Sequence, residues 1–401
     1  MGDRIDRTVV HYVSDEELAL LGHMIGDGCA LPRHVIQYTT REIDLAETVR
    51  DLAIAVFGKA VSPRISQERG WYQVYLTASE RLTHNKRNPI AAWLDDLGVF
   101  GLRSYEKRVP EKVFAQPAAG IARFLRHLWA TDGCIHLSRA TVDTVKIYYA
   151  SSSPVLARQV QSLLLRLGIN AVILRYAQPG KGRDQYHVKV SGKPDVEQFL
   201  AQVGALGEYK VTHAAAISAY YADRVGKTNR DMLPRETWDA VIAPEMAAAN
   251  VKALALQAQM GWTRASGAVV GQTLSRERAL RVASALNSKA LATLAASDVY
   301  WDEILSIKPD GEEDVYDLTV EGYHNFVAAD ITLHNSIEQD ADIVMFIYRD
   351  DVYNQESERK NIADIIIAKH RNGPVGLVSL YFQGAQTRYR DLELRQVEPE
   401  Y

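Results

Sequence analysis

Two aspartates stand in matching local contexts in the two parts of the N-terminal region. Asp27 lies near the end of LLGHMIGDG (20–28), and Asp132 near the end of LRHLWATDG (125–133). A carboxylate at a helix C-terminus meets the negative end of the helix dipole, so each position is locally unfavourable. A single Asp-Gly is an ordinary cap or turn pair, but two matched copies indicate a shared role. Carboxylates brought together in this way could hold Mg²⁺, which supports phosphodiester hydrolysis.

A second candidate chemistry lies in ITLHNSIEQDAD (331–342). The side-chain nitrogen of Asn335 can attack its own backbone carbonyl, which closes a succinimide and cuts the chain. An imidazole speeds this reaction by general acid catalysis, and His334 is adjacent. A lone His-Asn-Ser is common by chance, so this prediction depends on the surrounding sequence.

The elements that would position the two aspartates form a repeated pattern. Helix, paired strands, helix and paired strands occur twice, which predicts an internal duplication with one half beside the other. The predicted helices are 15–28, 120–133 and 154–168, and the predicted strands lie in 64–79, with a turn at Arg69-Gly70, in 144–152 and in 171–192.

The rest of the chain divides into three patterns. Residues 230–296 are alanine-rich and predict a small helical domain, in which the segment around GWTRASGAVVGQT could instead form a DNA-reading helix-turn-helix. From 299 to 333 the pattern favours strands, with a hairpin turn at Asp310-Gly311. The apolar runs ADIVMFIYR and ADIIIAKHR are typical of strands covered on both faces.

Composition bounds the class of protein. A chain of 401 residues with 47% hydrophobic and 24% charged residues predicts two to four globular domains. There is no run of about eighteen apolar residues and no secretory signal, which predicts a cytoplasmic protein without a membrane partner. The two cysteines, Cys29 and Cys134, form no disulfide framework.

Charge is distributed unevenly although the net charge is only −4. Residues 101–226 carry 17 Lys and Arg against 9 Asp and Glu, whereas residues 297–330 carry 1 against 10. The basic part is suited to neutralise phosphates, and the acidic part is not. We therefore expect double-stranded DNA as a partner of the duplicated region, although scattered solvated charge is the alternative.

The two aspartate-bearing helices resemble the signature helices of LAGLIDADG homing endonucleases. The resemblance implies that the helices pack together at a two-fold core while the strands form DNA-binding saddles. It also implies that Asp27 and Asp132 bind Mg²⁺. The stretch EKRVPE (106–111) resembles the family's Lys-x-apolar-Pro block, so Lys107 becomes the candidate active-site lysine.

The stretch VYDLTVEGYHNFVAADITLHN (315–335) resembles the C-terminal blocks of inteins, which are self-splicing elements. The resemblance makes Asn335 the cyclising residue and His334 its penultimate helper. Ser336 would be the first residue after the element and the acyl-accepting hydroxyl.

Two further residues take splicing roles from the same resemblance. His324, in YHNF, matches the assisting histidine, and Asp317, in YDLTV, matches a position that couples the steps.

Residues after Ser336 resemble the end of a DnaB-type replicative DNA helicase ATPase domain. In that family the lysine and arginine of the AKHRNG hairpin reach the ATP of a neighbouring subunit, which implies this role for Lys369 and Arg371. No GxxxxGK[ST] occurs in the chain, so ATP would bind only to a completed helicase, expected to be hexameric after splicing. Splicing would need an N-terminal intein and helicase chain as partner.

These observations predict an α/β (α+β) protein with five segments. The chain would carry a duplicated endonuclease, a helical domain, the β-rich end of a Hint (intein) fold and the C-terminal piece of a RecA-like ATPase. Two alternatives stay open: a replicative helicase by descent, and an inactive DNA-binding remnant. The predicted segments are 1–14 (linker), 15–226 (endonuclease, halves 15–115 and 116–226), 227–296 (helical), 297–335 (splicing) and 336–401 (helicase).

Overall fold

The chain divides into two compact units, Met1–Leu305 and Ser306–Tyr401. No helix in the described parts of either unit combines the length and apolar character needed to cross a membrane. The computed structural model describes residues 12–82, 87–139, 143–180, 182–224, 231–260, 273–297, 299–312, 325–334, 342–354, 357–370, 373–384 and 388–392.

The first unit contains one pattern of elements twice. The first copy consists of α1 (Asp15–Gly26), β1 (Gly28–Cys29), β2 (Gln37–Thr40), α2 (Ile43–Phe57), β3 (Arg64–Glu68), β4 (Trp71–Tyr75) and α3 (Pro89–Asp96). A short helix, α4 (Glu111–Phe114), leads into the second copy. The second copy consists of α5 (Ala118–Ala130), β5 (Gly133–Ser138), β6 (Thr144–Ser151), α6 (Pro154–Arg166), β7 (Ala171–Tyr176), β8 (Gln185–Val190), α7 (Lys193–Gln202) and α8 (Glu208–Ala222).

Each copy folds its strands into an antiparallel four-stranded sheet of the same topology. The strand orders are β1-β2-β4-β3 and β5-β6-β8-β7. The predicted turn at Arg69-Gly70 joins β3 to β4, and Gly70 has a φ of 83°, which glycine adopts without strain. The internal duplication predicted from the sequence is therefore present in the fold.

Helices α1 and α5 pack against each other in the core of the first unit. Nearly all of α1 beyond its first turn is buried, and the apolar face of α5 includes the fully buried Phe124 and Leu128. The backbones approach closely, because a Cβ at Gly22 would lie 2.7 Å from the Phe124 carbonyl oxygen. A helix that is apolar on all sides belongs in a core, which explains this central position.

The alanine-rich region of the first unit forms helices around a small core of its own. That core includes Leu233, Trp238, Ile242 and Leu256. Residues 261–272, where a helix-turn-helix was an alternative, lie outside the described residues, so that alternative stays a prediction. The elements are β9 (Met232–Leu233), a π-helical turn (Trp238–Ile242), α9 (Ala243–Ala248), α10 (Ala253–Gln259), β10 (Leu274–Ser275), α11 (Arg276–Leu286) and α12 (Lys289–Ala296).

The second unit is built from strands. It contains a hairpin of β11 (Asn325–Ala328) and β12 (Ile331–His334), the short helix α13 (Asp350–Tyr353), and an antiparallel sheet in chain order. The sheet strands are β13 (Ile343–Tyr348), β14 (Ile362–His370), β15 (Gly376–Gln383) and β16 (Arg388–Asp391).

In the C-terminal third, the strand predicted within 299–312 was wrong, whereas the strands predicted in HNFVAADITL form as β11 and β12. The described residues 299–312 form no strand, because a strand needs a hydrogen-bonded neighbour and none lies beside this segment within the described chain. Strands β13 and β14 form as predicted, but the described residues do not cover both faces of β13. Phe346 and Ile347 point to opposite faces and are 56% and 59% exposed.

Candidate active site

Asp27 and Asp132 lie where the C-terminal ends of α1 and α5 meet. Asp27 is the C-cap of α1, and Asp132 follows Thr131, the C-cap of α5. A Cβ at Gly26 would lie 1.9 Å from Thr131 Oγ1, so only glycine allows this approach. Both aspartates line one cleft of about 490 Å³.

The charge of Asp132 disfavours the ionised form of Asp27. Burial, followed by the charge of Asp132, raises the pKa of Asp27 to about 7, against the opposing effect of two lysines. Burial likewise raises the pKa of Asp132. The site therefore holds two carboxyl groups that repel each other when both are ionised, and a cation between them would relieve that repulsion.

Lys107, the lysine predicted from EKRVPE, lies at the end of α1. Its Nζ donates hydrogen bonds to the carbonyl oxygens of Gly26 and, at 3.0 Å, Gly28. Burial lowers the pKa of Lys107, and the charges of Asp132 and Asp27 oppose that effect.

Lys210 holds the matching place at the end of α5 and was missed by the sequence analysis. Its Nζ donates to the carbonyl oxygens of Trp129, Ala130 and Thr131 at 2.8, 2.7 and 3.0 Å. The spacing along the sequence could have identified Lys210, since Lys107 follows Asp27 by 80 residues and Lys210 follows Asp132 by 78.

The two lysines correct one step of the sequence analysis. The sequence alone indicates an unfavourable helix dipole at each aspartate and a metal ion as its only visible compensation. A lysine at a helix C-terminus satisfies free carbonyl groups and offsets the dipole. The structure shows a lysine in that position at each helix end, so compensation of the helix dipole does not require a metal ion.

A buried row of polar side chains connects the two halves. His127 Nδ1 lies 3.0 Å from His23 Nε2, and His23 Nδ1 lies 3.2 Å from the Tyr38 hydroxyl. Burial is the main cause that lowers the pKa of both histidines, to about 4 for His127. Both imidazoles are therefore neutral near pH 7, and the row contributes hydrogen bonds between α1, α5 and the first sheet.

The sheets present polar and aromatic side chains beside the aspartates. Arg41 stacks over the ring of Trp71 at 4.2 Å, and in the second half His187 stacks on Tyr148 at 4.6 Å. Lys146 projects from the exposed face of β6. Cationic and aromatic groups of this kind suit contacts with a nucleic-acid backbone and bases.

Other predicted site residues fall elsewhere. His334 ends β12, where its backbone pairs with Asn325, and Lys369 lies in β14 opposite Val344. Asp317, His324, Asn335, Ser336 and Arg371 lie outside the described residues.

A metal at the helix ends would have few protein ligands. Within the described part of the chain, no three His, Cys, Asp or Glu side chains are grouped to hold an ion. Any ion there would therefore be held by Asp27 and Asp132, with water completing its coordination, a mode that Mg²⁺ tolerates.

Two family models match the chain. Residues 119–204 match the LAGLIDADG-like domain, and residues 321–391 match the DnaB-like helicase C terminal domain. The second match begins ahead of the predicted Asn335–Ser336 junction. The chain thus carries a LAGLIDADG-like domain joined to a DnaB helicase C-terminal region.

Proteins named DnaB and proteins named RecA are each similar to most of the chain. Replicative DNA helicase DnaB of Nostoc sp. is 55% identical over 376 residues, covering 94% of this chain and 43% of the relative. Protein RecA of Mycobacterium tuberculosis is 26% identical over 341 residues, covering 79% of this chain and 41% of the relative. The chain therefore spans less than half the length of these relatives.

A solved structure of I-DmoI in complex with DNA and Mn covers 49% of this chain and 99% of its own, at 14% identity and a TM-score of 0.36.

Proposed function

We propose that residues 15–226 form a Mg²⁺-dependent homing endonuclease that cuts double-stranded DNA at a specific site. The observation that carries this proposal is the cleft that holds Asp27 and Asp132 between the ends of two symmetry-related helices. Lys107 and Lys210 stand at matching positions beside them.

The carboxyl groups fit a divalent cation. Asp27 and Asp132 line one cleft and have raised pKa values, so a cation bound between them would favour the ionised form of both carboxyl groups. When bound, Mg²⁺ would supply activation of water and stabilisation of the leaving oxygen.

The lysines would act on the phosphate from fixed positions. Each Nζ is held by backbone carbonyl oxygens, so its charge is oriented before DNA binds. A preorganised positive charge stabilises the negative charge that develops on a phosphate during cleavage.

The nuclease is tested with duplex DNA that carries the uninterrupted host gene. We expect Mg²⁺-dependent double-strand cuts that both Asp27→Asn and Asp132→Asn abolish. Calcium binding, measured by calorimetry, does not depend on DNA cutting. The affinity for calcium should be lower in both variants than in the parent. If neither variant differs from the parent in either measurement, the proposal is wrong and the inactive remnant is favoured.

We also propose that Asn335 cyclises with help from His334, His324 and Asp317, and that Ser336 accepts the acyl group when an N-terminal partner chain is present. The similarity to relatives named DnaB and RecA supports an element shared by different host proteins. The β11–β12 hairpin would bring the end of the element to His334.

Cleavage at the junction has a direct test by mass spectrometry. The parent chain should release a fragment of residues 336–401, and Asn335→Ala should not. Absence of that fragment across pH and temperature would contradict the junction chemistry.

For the helicase region, we propose that Lys369 and Arg371 contact ATP bound by a neighbouring subunit of the assembled hexamer. The family match to residues 321–391 supports this role. A complex of this chain with the N-terminal helicase chain should hydrolyse ATP, and Arg371→Ala should lower its turnover without preventing assembly, as measured by light scattering.

A further inference from the structure

Equivalent helix starts in the two halves hold different residues. Glu42 is the N-cap of α2, which follows the second strand of the first half, and Ser153 is the N-cap of α6, which follows the second strand of the second half. Each of these residues contacts the lysine-bearing segment of the opposite half.

Ser153 makes this contact as a neutral group. Its hydroxyl donates to the Lys107 carbonyl oxygen at 2.7 Å and accepts from the Leu156 amide at 3.1 Å. It therefore caps its own helix and fixes the backbone of Lys107 at the same time.

Glu42 makes the equivalent contact as a charged group. Its side chain forms no hydrogen bond that caps α2. The carboxylate instead lies against Gly207, the N-cap of α8, where a Cβ would be 2.5 Å from Oε2. That oxygen is buried and has no hydrogen-bond partner among the described residues.

The position of Glu42 suits the start of α8. Gly207 has no side chain to cap the helix, and the free amides of a first helical turn favour a negative charge. Lys210 belongs to that first turn, and Glu42 and Lys210 line the same cleft as the aspartates.

We propose that Glu42 is a positioning residue for Lys210, acting from the first half on the second, so that one strand cut depends on Glu42 and the other does not. The proposal rests on the endonuclease function proposed above. Lys107 depends on the hydroxyl of Ser153, so the two symmetry-related lysines are held by groups of different charge. Removing the charge of Glu42 then loosens one lysine and not the other.

The first measurement needs no nuclease activity. The full chain is acylated with a limiting amine reagent, and the labelling of Lys107 and Lys210 is followed in the same sample by peptide mass spectrometry. In Glu42→Gln we expect Lys210 to label about tenfold faster and Lys107 to be unchanged, because only the anchor of α8 is lost. Glu42→Asp, which keeps the charge, should recover part of the protection.

The second measurement follows each strand of the duplex target separately with end labels. Glu42→Gln should slow one strand cut by about tenfold and the other by less than about twofold, so nicked DNA accumulates. The matched control is Glu47→Gln, which removes the same charge from an exposed position on α2 and should leave both rates and both lysines unchanged.

The outcomes separate the two proposals. Equal labelling of Lys210 in the parent and in Glu42→Gln, or faster labelling of both lysines together, would overturn the positioning role. If the parent cuts neither strand, the endonuclease proposal fails, and the labelling still decides whether Glu42 holds Lys210. Equal slowing of both strand cuts would contradict the predicted inequality.

Discussion

The duplicated region and the C-terminal sheet place their apolar residues in opposite ways. In the duplicated region, Trp129, Phe124 and Tyr149 are almost fully buried between helices and sheets. In the C-terminal sheet, Phe346 and Ile347 are more than half exposed. The first region therefore contains the elements that bury its own apolar residues, whereas the described part of the second unit does not. We therefore expect the free energy of unfolding to depend on how deeply an apolar side chain is buried, and not on how many apolar residues each region contains.

Phe124 and Phe346 are phenylalanines with opposite exposure in the two regions. Phe124→Ala removes a fully buried ring from α5 and should lower the free energy of unfolding by about 3–5 kcal/mol. The matched change Phe346→Ala should cost less than about 1 kcal/mol, because that ring is already exposed. Urea unfolding followed by circular dichroism measures both. Equal losses would mean that the C-terminal sheet is covered in solution.

Acid should destabilise the duplicated region, because its buried histidines are neutral in the folded state. His127 has a pKa of about 4 when folded against 6.5 when unfolded. Between pH 6.5 and about 4, His127 is therefore protonated in the unfolded chain and neutral in the folded chain. As the pH falls through this window, the free energy of unfolding decreases by about 3 kcal/mol.

The variant His127→Asn should flatten this loss, as measured by urea unfolding at pH 7 and pH 4.5. His34→Asn, a change at an exposed loop position, should retain the parental pH dependence. If His127→Asn loses as much free energy of unfolding between pH 7 and pH 4.5 as the parent does, His127 is not the group responsible for the loss.

A smaller effect has the opposite sign. The folded pKa of Asp27 is raised to about 7, so its contribution to stability is fully present below pH 3.8 and is lost as pH rises through about 7. Asp27→Asn should therefore increase the free energy of unfolding at pH 8, by about 2 kcal/mol once solvent screening of this exposed residue is included. Saturating Mg²⁺ should stabilise the parent and reduce this difference, because the ion binds the folded pair.

Thermal unfolding at pH 8, with and without Mg²⁺, checks this result. Asp223→Asn, at an exposed helix end, is the matched control and should behave like the parent both with and without Mg²⁺. If the parent is more stable than Asp27→Asn at pH 8 without metal, the ionised carboxyl of Asp27 does not destabilise the fold.

The smallest effect lies at the edge of the duplicated core. Ser14 and Glu17 form a capping box at the start of α1. Ser14→Ala should cost about 1 kcal/mol in the free energy of unfolding, well below Phe124→Ala, since the box is exposed and satisfies only the first amides. A loss equal to that of Phe124→Ala would place part of the core at this end.

Local patterns predicted the elements that carry the candidate site. The helices before Asp27 and Asp132 and the hairpin at Arg69-Gly70 follow from apolar periodicity and a glycine turn, which act within a few residues. Lys210 and Glu42 were not predicted, because their partners lie far away along the chain: Lys210 contacts carbonyl groups about 80 residues earlier. Residues 299–312 show the converse, since a strand-like pattern forms no strand without a partner strand.

The close approach at Gly26 and Thr131 has a consequence for redesign. Because Gly26 packs directly against the Thr131 side chain, sliding one helix along the other would change the separation of the carboxyl groups. In the proposed endonuclease, target preference could therefore be altered through the strands, whereas a substitution at the helix contact should impair the cutting of both strands at once.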